Sequence, residues 1–122
     1  MIGKLAGKRI LVVEDEYYLA SDIQAALRGE GAVVVGPVGQ LEPGLALALA
    51  GAIDGAVLDI NLRGIPSYPL IDRLAEHDVP CLLVTGYDGW SIPEVYRTIR
   101  RLEKPCQMTS IVDAVAQLIA HR

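Results

Sequence analysis

Two kinds of hydrophobic segment alternate along the chain. Short apolar runs occur at Arg9 to Val13, Ala32 to Val35, Ala56 to Leu58 and Val79 to Val84, with a weaker one at Ile99 to Leu102. Near-continuous apolar runs of this length are expected of strands covered on both faces. Longer stretches lie between them, with apolar residues recurring every three or four positions. Leu19, Ile23, Ala26 and Leu27 share one face of a helix from Tyr17 to about Arg28, which Gly29 and Gly31 end. An Ala/Leu-rich helix follows over about Leu41 to Ala50, and a third over Tyr68 to Glu76. In the last helix Ile111, Val115, Leu118 and Ile119 mark a buried stripe, with Ser110 and Asp113 spaced like a capping box at its start. Gly36-Pro37 is expected to break the second strand. Between Gly86 and Pro93 the chain carries a second glycine, Asp88, Trp90 and Ser91, so a helix there should be short, displaced or missing. Strands separated by helices predict a parallel sheet with right-handed crossovers, a doubly wound α/β sandwich.

Length and composition narrow the picture. The 122 residues match one compact domain. With 52% hydrophobic residues and no phenylalanine, the core should be aliphatic. A net charge of −4 without a domain-wide basic stripe argues against direct nucleic-acid binding. Pro43 to Leu58 is very apolar, yet it carries Asp54 and three glycines. It is also shorter than the roughly 20 residues of a membrane span, so it is expected to be buried in protein. Ile10 to Val13 is too short for the core of a signal peptide, and a cytoplasmic location without membrane contact is expected. Cys81 and Cys106 lack metal-type spacing and are expected as free thiols. His77 and His121 are expected at the surface.

In a doubly wound sheet, ligands bind beyond the carboxyl ends of the strands. The residues expected there are Glu14-Asp15-Glu16, Asp59, Thr85-Gly86 and Lys104-Pro105. Individually these have ordinary readings as a solvated helix start, a turn or a surface lysine. Together they bring carboxylates, a hydroxyl and an ammonium to one edge. Clustered carboxylates raise each other's pKa unless a cation sits among them. Oxygen ligands without a Cys or His cluster favour Mg²⁺, with Mn²⁺ as a substitute. Asp15 and Asp59 are the expected direct ligands, Glu14 binds directly or through a water, and the backbone carbonyl of Asn61 supplies a further oxygen. A carboxylate so placed can attack phosphorus in line, with Lys104 offsetting charge and Thr85 donating a hydrogen bond.

Val13-Glu14-Asp15-Glu16, Leu58-Asp59-Ile60-Asn61, Val84-Thr85-Gly86 and Lys104-Pro105 resemble, in order and spacing, the motifs of response-regulator receiver domains. The resemblance spans residues 1–122 as one receiver domain with no output domain. It implies a flavodoxin-like five-stranded sheet of order 2-1-3-4-5 and phosphorylation of Asp59 by a sensor histidine kinase. It also implies Mg²⁺ at the acidic pair, Thr85, Gly86 and Lys104 around the phosphoryl group, and a cis Lys104-Pro105 bond. Such a protein is a signalling switch rather than an enzyme, as a monomer or a weak phosphorylation-dependent dimer, relaying to a downstream protein or acting as a phosphate sink.

The chain departs from the common receiver pattern at Arg63, where many receivers have proline, and at Arg101, where many carry a switch aromatic. Tyr87 is the candidate substitute aromatic. With Tyr68-Pro69 and Val79-Pro80, these features resemble an alphaproteobacterial single-domain subgroup with a Phe-Ala-Thr-Gly-Tyr motif, here with Leu83 and Val84 in its first two places. That subgroup pairs with kinases of the HWE or a related class. Arg97, Arg100 and Arg101 form a candidate partner surface in an acidic protein. Two other readings remain: a haloacid-dehalogenase-like phosphatase, in which Asn61 stands where a second acid is normal, and a pseudo-receiver that binds partners without phosphorylation.

Overall fold

The structure, a computed structural model, describes residues 3–86 and 92–121. Its elements are β1 (Arg9–Val13), α1 (Tyr17–Gly29), β2 (Val33–Val38), α2 (Leu41–Leu49), β3 (Gly55–Leu58), β4 (Asn61–Leu62), β5 (Ile65–Pro66), α3 (Tyr68–Glu76), β6 (Cys81–Thr85), β7 (Arg101–Glu103) and α4 (Met108–Ala120). One turn of 3-10 helix, Glu94–Tyr96, lies between β6 and β7. The main sheet runs β2-β1-β3-β6-β7 with every neighbouring pair parallel. Counted along the chain, its five strands have the flavodoxin-like order 2-1-3-4-5, so the strand order reverses between β1 and β3.

The two-residue period of a strand divides the core into layers. Leu11, Val13, Leu58 and Leu83 face α2 and α3 and pack with Leu70, Ile71 and Leu74. Ile10, Val12, Val57, Leu82 and Val84 face α1 and α4 and pack with Ile23, Leu27, Ile111 and Val115. Covering both faces explains why β1, β3 and β6 read as unbroken apolar runs. The core is aliphatic, as the composition requires.

Four local expectations are corrected. The second strand is not broken at Gly36-Pro37 but runs on to Val38. Gly36 adopts φ +93, where a Cβ would lie 2.9 Å from the Val12 carbonyl oxygen, and the register against β1 shifts between Leu11 and Val13. The strand is at the sheet edge, where a proline is tolerated and a bulge absorbs the extra residue. The fourth sheet strand starts at Cys81, after Pro80, and the fifth covers Arg101–Glu103 instead of starting at Ile99. The last helix starts at Met108 with Gln107 as N-cap and no side-chain capping bond. Met108 packs against the α1/α4 core and carries the apolar stripe of Ile111 and Val115 back by a turn, while Asp113 binds Lys4 Nζ at 2.6 Å. The segment after Asp59 forms the β4–β5 hairpin.

Among the described residues, the 3-10 turn is the one helical piece between β6 and β7; Tyr87, Asp88, Gly89, Trp90 and Ser91 lie outside them. Ile92, 2% exposed, anchors the far end of this connection in the α2/α3 core. Among the described residues no helix is long and apolar enough to cross a membrane. Cys81 and Cys106 are free, and burial pushes the Cys81 thiol up to about 12.

Leu83 is fully buried in β6 between the site-bearing strands. Leu83→Ala should lower unfolding free energy by about 2–5 kcal/mol, read as a drop in the urea midpoint at unchanged slope.

Candidate functional site

The carboxyl ends of β1, β3, β6 and β7 bring Glu14, Asp15, Asp59, Thr85 and Lys104 to one edge, at the point where strand order reverses. Backbone bonds set two of the carboxylates. The Glu14 N–H donates to the Val38 carbonyl and the Asp59 N–H to the Val13 carbonyl, both at 2.9 Å. The bulged end of β2 thus places Glu14. One carboxylate oxygen from each of Glu14, Asp15 and Asp59 lies within 4.8 Å of the other two. Lys104, whose N–H donates to the Thr85 carbonyl at 2.8 Å, is followed by a cis peptide bond to Pro105. Its Nζ donates to Asp59 Oδ2 at 3.0 Å, Glu14 Oε1 at 3.1 Å and Glu16 Oε2 at 3.1 Å. Thr85 is fully buried at the end of β6, and Gly86 follows, where an added Cβ would meet nothing within 4 Å among the described residues.

The β4–β5 hairpin shapes the same edge. Arg63 and Gly64 both take positive φ, as a two-residue hairpin turn demands. The Arg63 N–H donates to Asp15 Oδ2 at 3.0 Å, the Asn61 N–H to Asp59 Oδ1 at 3.1 Å, and the Gly64 N–H to Asn61 Oδ1 at 2.6 Å. Arg63 therefore contributes its backbone donor, which a proline there would lack.

Burial, chiefly, pushes the Glu14 carboxyl up to about 7, against the Glu16 N–H and Lys104, which favour its charged form. Burial also opposes the charge on Lys104, but hydrogen bonds to Asp59 and Glu14 and their charges outweigh it and hold the ammonium above its usual range. Glu14 Oε2 is buried, and among the described residues nothing hydrogen-bonds to it. A bare buried oxygen within a three-carboxylate cluster fits a hard cation such as Mg²⁺, which takes oxygen ligands.

Of the other candidates, Tyr87 lies outside the described residues. Arg101 donates to the Arg97 carbonyl at 3.1 Å and Arg97 Nε to the Ile92 carbonyl at 2.8 Å, whereas Arg100 turns away to Gln117 on α4. His77 and His121 are exposed. A cavity of about 550 Å³ lies at the opposite edge, but its charged residues Arg9 and Asp54 are joined through the Arg9 N–H.

The sequence reading missed Ser67 and the side chain of Glu16. Ser67, fully buried, donates its Oγ–H to the Asp59 carbonyl at 2.7 Å and its N–H to the Ile60 carbonyl at 2.8 Å, fixing the backbone that carries the carboxylate. A serine directly before Tyr68-Pro69 signals a helix N-cap, yet its side chain makes no capping bond.

Ser67→Ala should cost about 1–3 kcal/mol, because it leaves the buried carbonyl short of a partner, as chemical denaturation would measure. A carboxyl whose folded pKa lies above its unfolded value stabilises most below the unfolded pKa, and that contribution is lost as pH rises through the folded pKa. With chelator present, stability should therefore fall between pH 4.5 and about 7 more steeply in the wild type than in Glu14→Gln. Equal slopes would refute the Glu14 assignment.

No protein-family model matches the chain. The solution structure of SdrG from Sphingomonas melonis Fr1 is similar at 35% identity and a TM-score of 0.81, with 93% of this chain and 97% of SdrG covered. A response regulator receiver domain protein (CheY-like) from Methanospirillum hungatei JF-1 shares the fold at a TM-score of 0.83 and 21% identity, covering 95% and 96% of the two chains. The transcriptional regulatory protein TcrA of Mycobacterium tuberculosis is 36% identical over 86 residues, 69% of this chain. The match takes in 34% of TcrA, so the chain spans about a third of that relative's length. Sheet order, site position and near full-length similarity to SdrG agree: the chain belongs to the response-regulator receiver domains.

Proposed function

We propose that this protein is a phosphorylation switch, a single receiver domain over residues 1–122, in which Asp59 accepts a phosphoryl group from a sensor histidine kinase. The observation that carries this reading is the Asp59 carboxylate itself. It is 5% exposed at the end of β3, 3.0 Å from the Lys104 ammonium and beside the Glu14 and Asp15 carboxylates. An Asp59 oxygen attacks phosphorus as the P–N bond of the donor phosphohistidine breaks, and the imidazole keeps the bonding electrons. The product is an acyl phosphate, and water later returns the carboxylate and inorganic phosphate. Lys104 supplies positive charge to the transferring group, and the Thr85 hydroxyl and the Gly86 end of β6 bind its oxygens. Asp15, Asp59, Glu14 and the Asn61 carbonyl are the residues that would hold Mg²⁺ or Mn²⁺, which supplies further charge stabilisation when bound.

The similarity to SdrG supports this reading, since a structure of SdrG from Pseudomonas melonis Fr1 in its BeF3-activated conformation resembles this chain at 35% identity and a TM-score of 0.77. Thr85-Gly86-Tyr87 is the basis for proposing membership of the alphaproteobacterial subgroup, and a kinase of the HWE or a related class is proposed from that motif resemblance alone. Arg97, Arg100 and Arg101 are the proposed partner surface, with Arg101 bonded to the Arg97 carbonyl and Arg100 to Gln117. Phosphorylation then either changes affinity for a downstream protein or drains phosphoryl groups from a shared kinase.

Acetyl phosphate with Mg²⁺ should add one phosphoryl group to the wild type by intact mass and none to Asp59→Asn. An adduct that survives the substitution, or none in the wild type with either acetyl phosphate or a cognate kinase, overturns the assignment. Mg²⁺ at about 100 times its dissociation constant should stabilise the fold by about 2.7 kcal/mol, and Asp15→Asn should abolish that shift in thermal melts.

A further inference from the structure

Lys104 has three N–H donors and three carboxylate acceptors at 3.0–3.1 Å: Asp59, Glu14 and Glu16. A phosphoryl oxygen that approaches this ammonium competes with these acceptors for its N–H groups. The three are not equivalent. The Glu14 and Asp59 side chains are 2% and 7% exposed; Asp59 is the attacking group, whose carboxylate charge passes into the acyl phosphate, and Glu14 released from Lys104 stays buried. Glu16 is 65% exposed and returns to water.

The local structure shows that Glu16 is committed to this contact. It is the N-cap of α1, with extended φ −81 and ψ 109, yet its side chain makes no capping bond to the helix. It reaches across to Lys104, and its backbone N–H donates to Glu14 Oε1 at 3.0 Å. Glu16 thus links the start of α1 to both Glu14 and Lys104. Its negative charge also stands where an anionic donor must approach.

We infer that Glu16 is a placeholder for the phosphoryl group: its carboxylate holds the third N–H of Lys104 in the resting protein and competes for it with the phosphoryl group that arrives at Asp59. It is a positioning residue that slows phosphoryl acceptance by acting through Lys104. The inference rests on Asp59 as acceptor and adds a specific brake to it.

The test compares initial rates of adduct formation with acetyl phosphate and Mg²⁺ in the wild type, Glu16→Gln and Glu16→Asp, each first checked for a cooperative thermal melt. Glu16→Gln keeps the shape and removes the charge, and it should accelerate acceptance about two- to fivefold, the range an exposed ion pair commands. Glu16→Asp keeps the charge on a shorter side chain that is a better N-cap, so it should let go of Lys104 and also accelerate. Rates equal to or below wild type in Glu16→Gln overturn the inference while leaving Asp59 as acceptor. Acceleration in Glu16→Gln with a wild-type rate in Glu16→Asp also overturns it, assigning the effect to charge at a distance. Absence of a wild-type adduct removes the acceptor assignment and the inference together.

Discussion

The ammonium of Lys104 at the carboxyl edge of the sheet is the interaction on which the site depends. Glu14 and Asp59 are buried acids at the ends of adjacent strands, and two such charges without a cation would drive each other to take up protons or to separate. Lys104 bonds to both and, through Glu16, to the start of α1. It is itself held by its backbone bond to Thr85. The resting site is therefore neutralised only in part. Glu14 retains a raised pKa and a bare oxygen even with the lysine in place. That residual imbalance is the physical reason why the cluster suits a cation.

The rest of the fold serves to keep those groups in register. β1 and β3 are buried on both faces, so a shift of one residue in either would drive its side chains into the wrong layer. Their pairing, Val13 against Leu58, therefore determines how far Glu14 and Asp59 project beyond the sheet. Two irregular features refine the placement. The bulge in β2 lets Val38 reach Glu14, and the β4–β5 hairpin lets Arg63, Asn61 and Ser67 bind around Asp15 and Asp59.

The connection from β6 to β7 is held differently. Tyr96 stacks on Tyr68 at 4.5 Å between ring centroids and donates its hydroxyl to Asp72 Oδ1 at 3.0 Å, pinning the 3-10 turn to α3. Together with buried Ile92, these contacts anchor the far end of the connection while its near end follows directly from Thr85 and Gly86.

Much of this was legible in the chain. Apolar runs separated by amphipathic stretches specify strands buried on both faces and the helices that cover them, because periodicity is local and burial enforces it. The α/β class followed from that alternation, the sheet order from the family resemblance, and the convergence of Glu14, Asp15, Asp59, Thr85 and Lys104 from strand ends. What the tertiary structure decided were features set by distant partners. Pro37 stays in a strand because that strand is an edge next to Val12. The last helix starts at Met108 because that residue has a core to enter, whereas the Ser110–Asp113 spacing had only local capping to recommend it. Ser67 and Glu16 have the sequence positions of helix caps, and both abandon that role for partners eight and 88 residues away. A cap is a contact between neighbours and can be read from spacing. Which acceptor a hydroxyl or an ammonium meets across the edge of a sheet is known only once the strands are aligned.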